Sequence, residues 1–89
     1  MTSFIKDPAA VLDYRVDWSD WLQQGETITA STVTAETGVT VDSDAHDDTT
    51  ATAWLSGGAL QANYKVTNHI TTSAGRQDER TFVITVRDR

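Results

Sequence analysis

Two alternating runs joined by a glycine-containing loop constrain this chain more than any other feature. In residues 64–72, Tyr64, Val66, Asn68 and Ile70 share one face; in residues 80–86, Phe82, Ile84 and Val86 share one face. Alternation at period 2 marks a half-buried strand. Setting Thr72 opposite Arg80 puts Ile70 against Phe82, Asn68 against Ile84 and Val66 against Val86. A slip of one residue would turn all of them to the wrong side. The expectation is a long antiparallel hairpin with a connection over residues 73–79, where Gly75 is free to take a positive φ.

Upstream, Leu12, Tyr14, Val16 and Trp18 alternate with Asp13, Arg15 and Asp17, which reads as a first strand. Ser19 offers an N-cap for a short turn through Asp20, Trp21 and Leu22, so two tryptophans three residues apart either plug the end of a sandwich or leave Trp21 as an interface anchor. A second strand is expected over residues 26–35. Ile28 and Ala30 fall on one face and Val33 and Ala35 on the other, so a bulge or a crossing between sheets is needed near Ser31 and Thr32. Val39 and Val41 make a short third strand, residues 42–48 an acidic loop, and residues 49–55 a fourth strand with Ala51, Ala53 and Leu55 on one face and Thr50, Thr52 and Trp54 on the other. Residues 1–11 read as an arm, with Asp7 and Pro8 as a turn start.

Six or so short strands at this spacing predict an all-β fold: one antiparallel β-sandwich over residues 12–89 with a short N-terminal arm over 1–11. Tyr64 follows Gly57 and Gly58 at the start of the penultimate strand, where immunoglobulin-like domains place a tyrosine that bonds back to the backbone of the corner. At 89 residues the chain is one domain and buries only ~60–65% of the surface its unfolded form exposes. It has no cysteine, hence no disulfide. The net charge of −6 argues against binding nucleic acid or an anionic membrane, and favours a basic protein partner. No stretch has the pattern of a signal peptide or a membrane span.

No catalytic constellation is expected: His46 and His69 stand apart, and there is neither a nucleophile elbow nor a phosphate loop. Asp42, Asp44, Asp47 and Asp48, with His46, are the weak metal candidates. Their spacing opens like a Ca²⁺ loop but lacks its glycine at position six and glutamate at position twelve, so a solvated loop is favoured and no cofactor is expected. Threonines at 27, 29, 67, 71, 81 and 85 could line a flat polar face, and an edge strand beside it could augment a neighbour's sheet.

Several blocks in order, Lys6-Asp7-Pro8, Leu12-Asp13-Tyr14, Asp17-Trp18-Ser19-Asp20-Trp21-Leu22 and Gly25-Glu26-Thr27-Ile28, resemble a family of small tailed-bacteriophage virion proteins. So do Trp54-Leu55-Ser56-Gly57-Gly58, Tyr64-Lys65-Val66-Thr67-Asn68, Thr71-Thr72-Ser73-Ala74-Gly75-Arg76 and Asp78-Glu79-Arg80. Members are described as fibre–tail adaptor or head–tail connector components. The resemblance runs from Lys6 to Val86, with no match over residues 32–52. It implies an immunoglobulin-like sandwich in the virion, made and assembled in the host cytoplasm, without enzyme activity. The implied partners are other phage structural proteins (tail, portal or adaptor ring, or fibre) and further copies in a ring. The interface candidates are Phe4 and Ile5 in the arm, Trp18 and Trp21 at the corner, and Arg76, Asp78 and Glu79 in a charged loop tip. Deleting residues 1–7 should then impair assembly and leave the monomer folded. The rival readings are a capsid decoration protein and a small Ca²⁺-dependent binding module.

Overall fold

A computed structural model describes residues 2–6 and 11–87. These form seven strands and no helix: β1 (Thr2–Lys6), β2 (Leu12–Asp17), β3 (Ile28–Ala35), β4 (Val39–His46), β5 (Thr50–Gly57), β6 (Asn63–Thr72) and β7 (Gln77–Val86). One sheet has the order β1-β7-β6-β3 and the other β2-β5-β4. The sets β2-β5-β4 and β3-β6-β7 reproduce the B-E-D and C-F-G groupings of an immunoglobulin sandwich. Alternation explains the packing. Tyr14, Ala53, Leu55, Val66, Phe82, Ile84 and Val86, each from an inward position of its strand, meet in the main core with Val39. Trp18, Ile28 and Ile70 form a second cluster at one end.

In the segment expected to be an arm, Thr2–Lys6 pairs with β7, and the pairing is parallel, so the sandwich is not wholly antiparallel. Parallel neighbours need a long connection, and here nearly the whole chain separates the two strands. Lys6 is fully buried and its Nζ donates to the Gly57 carbonyl at 2.8 Å. The expected turn at Asp7 and Pro8 lies outside the described residues.

The hairpin β6–β7 is present, but its register differs from expectation by four residues: Val66 faces Phe82, Asn68 faces Arg80 and Ile70 faces Asp78. The turn sets this. Thr72 N–H donates to the Arg76 carbonyl and Gly75 N–H to the Thr72 carbonyl, both at 2.9 Å, so β7 begins at Gln77 rather than Arg80. An even shift preserves parity, and Phe82, Ile84 and Val86 therefore remain inside. The β3 irregularity lies between Ile28 and Ala30, not at Ser31 and Thr32. The switch occurs early because Ser31 turns inward, where its hydroxyl accepts from the buried Asn68 amide at 2.8 Å. The acidic loop is also corrected. Residues 42–46 belong to β4, which pairs with β5 through to His46↔Ala51 after an irregularity between Val41 and Ser43.

Candidate functional site

The β2–β3 corner is built by Asp17 rather than by Ser19. The Asp17 carboxylate accepts from Ser19 N–H at 2.9 Å, which holds its pKa below the usual carboxylate range. Trp21 and Leu22 N–H groups then both donate to the Trp18 carbonyl. This tight turn brings the Trp21 ring edge-on to Trp18, with centroids 5.4 Å apart and planes at 71°. Trp18 plugs the end of the sandwich and offers no surface. Its indole N–H donates to Asn68 Oδ1 at 2.8 Å, while the Asn68 amide donates to Ser31 Oγ and to the Thr32 carbonyl. A buried amide so satisfied fixes the positions of three elements at once. The Arg80 guanidinium lies 4.2 Å over the Trp18 ring and donates to the Asp17 carbonyl.

Beside it, Glu26 and Arg76 form a forked ion pair. Arg76 Nε donates to Glu26 Oε2 at 2.9 Å, and Nη2 bonds Oε1. Thr72 Oγ1 and Gln23 N–H donate to the same carboxylate. These bonds, the Arg76 bond first, pull the Glu26 pKa from 4.5 down to about 2, and the pairing raises that of Arg76. The Arg76 guanidinium also stacks 4.0 Å from the Trp21 ring. Four donor bonds onto its two oxygens leave this carboxylate little capacity as a proton acceptor for a substrate.

The structure thus joins Trp18, Trp21 and Arg76 in one cluster. Trp21 and Arg76 remain partly exposed. Asp78 and Glu79 are not part of a loop tip with Arg76: both are exposed residues of β7, opposite Ile70 and His69. Phe4 and Ile5 sit in β1 at the level of Ile84 and Thr85. Asp42 accepts from Ser56 Oγ at 2.9 Å. Asp47 shapes the β4–β5 turn by accepting from Thr49 N–H, Thr50 N–H and the Thr50 hydroxyl, which lowers its pKa. The Asp48 carbonyl accepts from Ile28 N–H. Among the described residues no three His, Asp or Glu side chains come together as a metal-holding group.

At the opposite end, the Tyr64 hydroxyl accepts from Ala59 N–H at 2.8 Å, as the sequence predicts for the corner tyrosine. On the outer face of that sheet, opposite in parity to Val66 and Phe82, the Thr67 and Thr81 hydroxyls lie 3.0 Å apart across β6 and β7, in keeping with a polar threonine face. Sequence reasoning missed two roles. Asn68 was assigned an inward face without its partners, which lie at separations of 36 to 50 residues. Trp54 shares a face with Thr50 and Thr52, and that parity is the one signal in the sequence that its ring stands exposed.

Among curated proteins, none matches the chain significantly. A family model described as podophage GP4 fiber-tail adaptor protein gp77 matches residues 6–85, which takes in all of the sandwich described above except the first residues of β1 and the last of β7. The chain therefore belongs to the podophage GP4 fiber-tail adaptor protein gp77 family, structural proteins of the phage tail.

Proposed function

We infer that the chain acts as a rigid adaptor subunit that links tail or neck to fibres or to a neighbouring ring, and that it works as one of several copies in a ring. The observation carrying this reading is the extent of the family match: residues 6–85 take in β2 to β6 and all but the last residue of β7, so the match covers six of the seven strands and both layers of the sandwich. The polar network supports a scaffold role, since the Glu26 and Asn68 side chains are committed to internal partners. Multiplicity supplies the strength, because repeated weak contacts in a ring add without any one being tight. The proposed contact points are Trp21, Arg76, Asp78 and Glu79 at one end and the β1 edge carrying Phe4 and Ile5. Assembly is assigned to the host cytoplasm, and no catalytic step is assigned.

Cross-linking mass spectrometry on intact particles, with copy number read from the same sample, tests this. Cross-links to tail or portal-ring proteins at about six to twelve copies per particle are expected. Cross-links to the shell protein at hundreds of copies would overturn the adaptor reading in favour of decoration.

A further inference from the structure

Charge is divided unevenly in this protein. Strands β2, β4 and β5 with the β4–β5 turn hold six aspartates (Asp13, Asp17, Asp42, Asp44, Asp47, Asp48) and one arginine, Arg15: a net −5 out of the chain's −6. In the middle of that sheet stands Trp54. It lies on the central strand between the buried Ala53 and Leu55, so its side chain emerges on the outer face, where it is 44% exposed. The other large exposed apolar side chains among the described residues, Val11 and Leu60, lie outside the strands. The register sets Asp13 directly across from Trp54 on β2 and Ser43 across from it on β4. Ser56, two residues along β5, holds the Asp42 carboxylate through its hydroxyl. Thus an open indole face has a carboxylate beside it on one strand and another held at the next outward position.

We propose that this face is a docking surface for an arginine- or lysine-bearing segment of a neighbouring tail protein, with the cation over the Trp54 ring and Asp13 and Asp42 as its counter-charges. The inference rests on the adaptor reading and names the chemistry of the partner. An indole face attracts a cation through its quadrupole, and flanking carboxylates add to that attraction. The chain uses the same pairing internally, where Arg76 is shared by Trp21 and Glu26. A second copy in a face-to-face arrangement is disfavoured, because an isologous contact would set this acidic face against itself.

The test uses particles lacking this protein and the purified full chain added back, with bound copies measured at low and high salt. Trp54→Ser and Asp13→Lys are each expected to weaken rebinding by about tenfold or more, as for an interface anchor and its charge partner. Added salt should weaken wild-type rebinding. Thr34→Lys, exposed on β3 of the other sheet, should rebind like wild type. Unfolding midpoints of both exposed-site variants serve to separate lost binding from lost folding. If Trp54→Ser and Asp13→Lys, both folded, rebind like wild type, the docking face is wrong and the adaptor reading survives. If wild-type chain does not rebind to particles at all, the adaptor reading itself fails. Cross-links from the Trp54 face to other copies of this chain would overturn the cationic-partner assignment in favour of a self-contact.

Discussion

The two ends of the sandwich are closed in opposite ways. At the β2–β3 end a large side chain fills the gap, and its polar atom needs a chain of partners: Trp18, Asn68, Ser31, then Arg80 and the Glu26–Arg76 pair around them. At the other end material is removed instead. The Tyr64 ring lies against Gly38 and Gly58, and a Cβ on Gly38 would come within 2.7 Å of the ring. Gly58 N–H bonds the Gly38 carbonyl at 2.9 Å, and both glycines have positive φ. The first end depends on hydrogen bonds and charge, the second on the absence of side chains. They should therefore fail under different perturbations.

Trp18→Ala should have the largest effect, a loss of about 3–5 kcal/mol in urea unfolding, because it opens a cavity and strips the buried Asn68 carbonyl of its donor. Gly58→Ala attacks the second end: its Cβ would meet Val86 Cγ2 at 2.6 Å, at a φ of +99°. Left-handed strain and overpacking together predict a loss of about 2–4 kcal/mol. Gly25→Ala sharpens this, since φ is +79° but nothing lies within 4 Å; about 1–2 kcal/mol from strain alone is expected. Equal losses at Gly25 and Gly58 would remove close packing as the explanation of the second end. Tyr64→Phe deletes only the bond from Ala59 N–H and should cost about 1 kcal/mol.

The subtlest contrast is in pH. The folded state holds Glu26 at about 2 against an ordinary 4.5, so the unfolded chain takes up that proton first. The stabilisation is fully present above pH 4.5 and is lost as pH falls toward about 2. Glu26→Gln should flatten the acid limb of the melting temperature over that window, and Tyr64→Phe should leave its shape unchanged. An acid limb unaltered by Glu26→Gln would assign it to Asp17 and Asp47, whose carboxyls are also held low by backbone N–H groups.

Strand faces were legible because parity is local: Tyr14, Leu55, Val66 and Ile84 all point where alternation puts them. Register was not, because a shift of four residues leaves every face unchanged and only the turn at Thr72 and Gly75 distinguishes the two pairings. The inward turn of Ser31 depends on Asn68, distant in sequence, and no local pattern announces it. Asp42, Ser43, Asp44, Ala45 and His46 have the composition of a loop, yet pairing with β5 draws them into an edge strand. Of the candidate site, the aromatic corner was legible from the Trp18–Trp21 spacing. The partners of Arg76 were not, since Glu26 and Trp21 lie 50 and 55 residues away. The β1–β7 pairing was equally out of reach, and it changes the expected result of deleting residues 1–7: the loss of a paired strand and of the buried Lys6 should lower the melting temperature as well as impair assembly.

That same parallel pairing governs how the protein bears load. Thr2 lies level with Phe82 and Lys6 with Val86, and Arg87 N–H donates to the Lys6 carbonyl. A pull on the chain ahead of Thr2 against a pull beyond Val86 drags the two strands past each other along their length. Every rung between them is then stressed together, in shear, and none can part alone. The β6–β7 hairpin pulled open from Asn63 and Thr85 would instead unzip one rung at a time. The first arrangement makes a few ordinary hydrogen bonds resist together, so the clasp holds harder than any one of them.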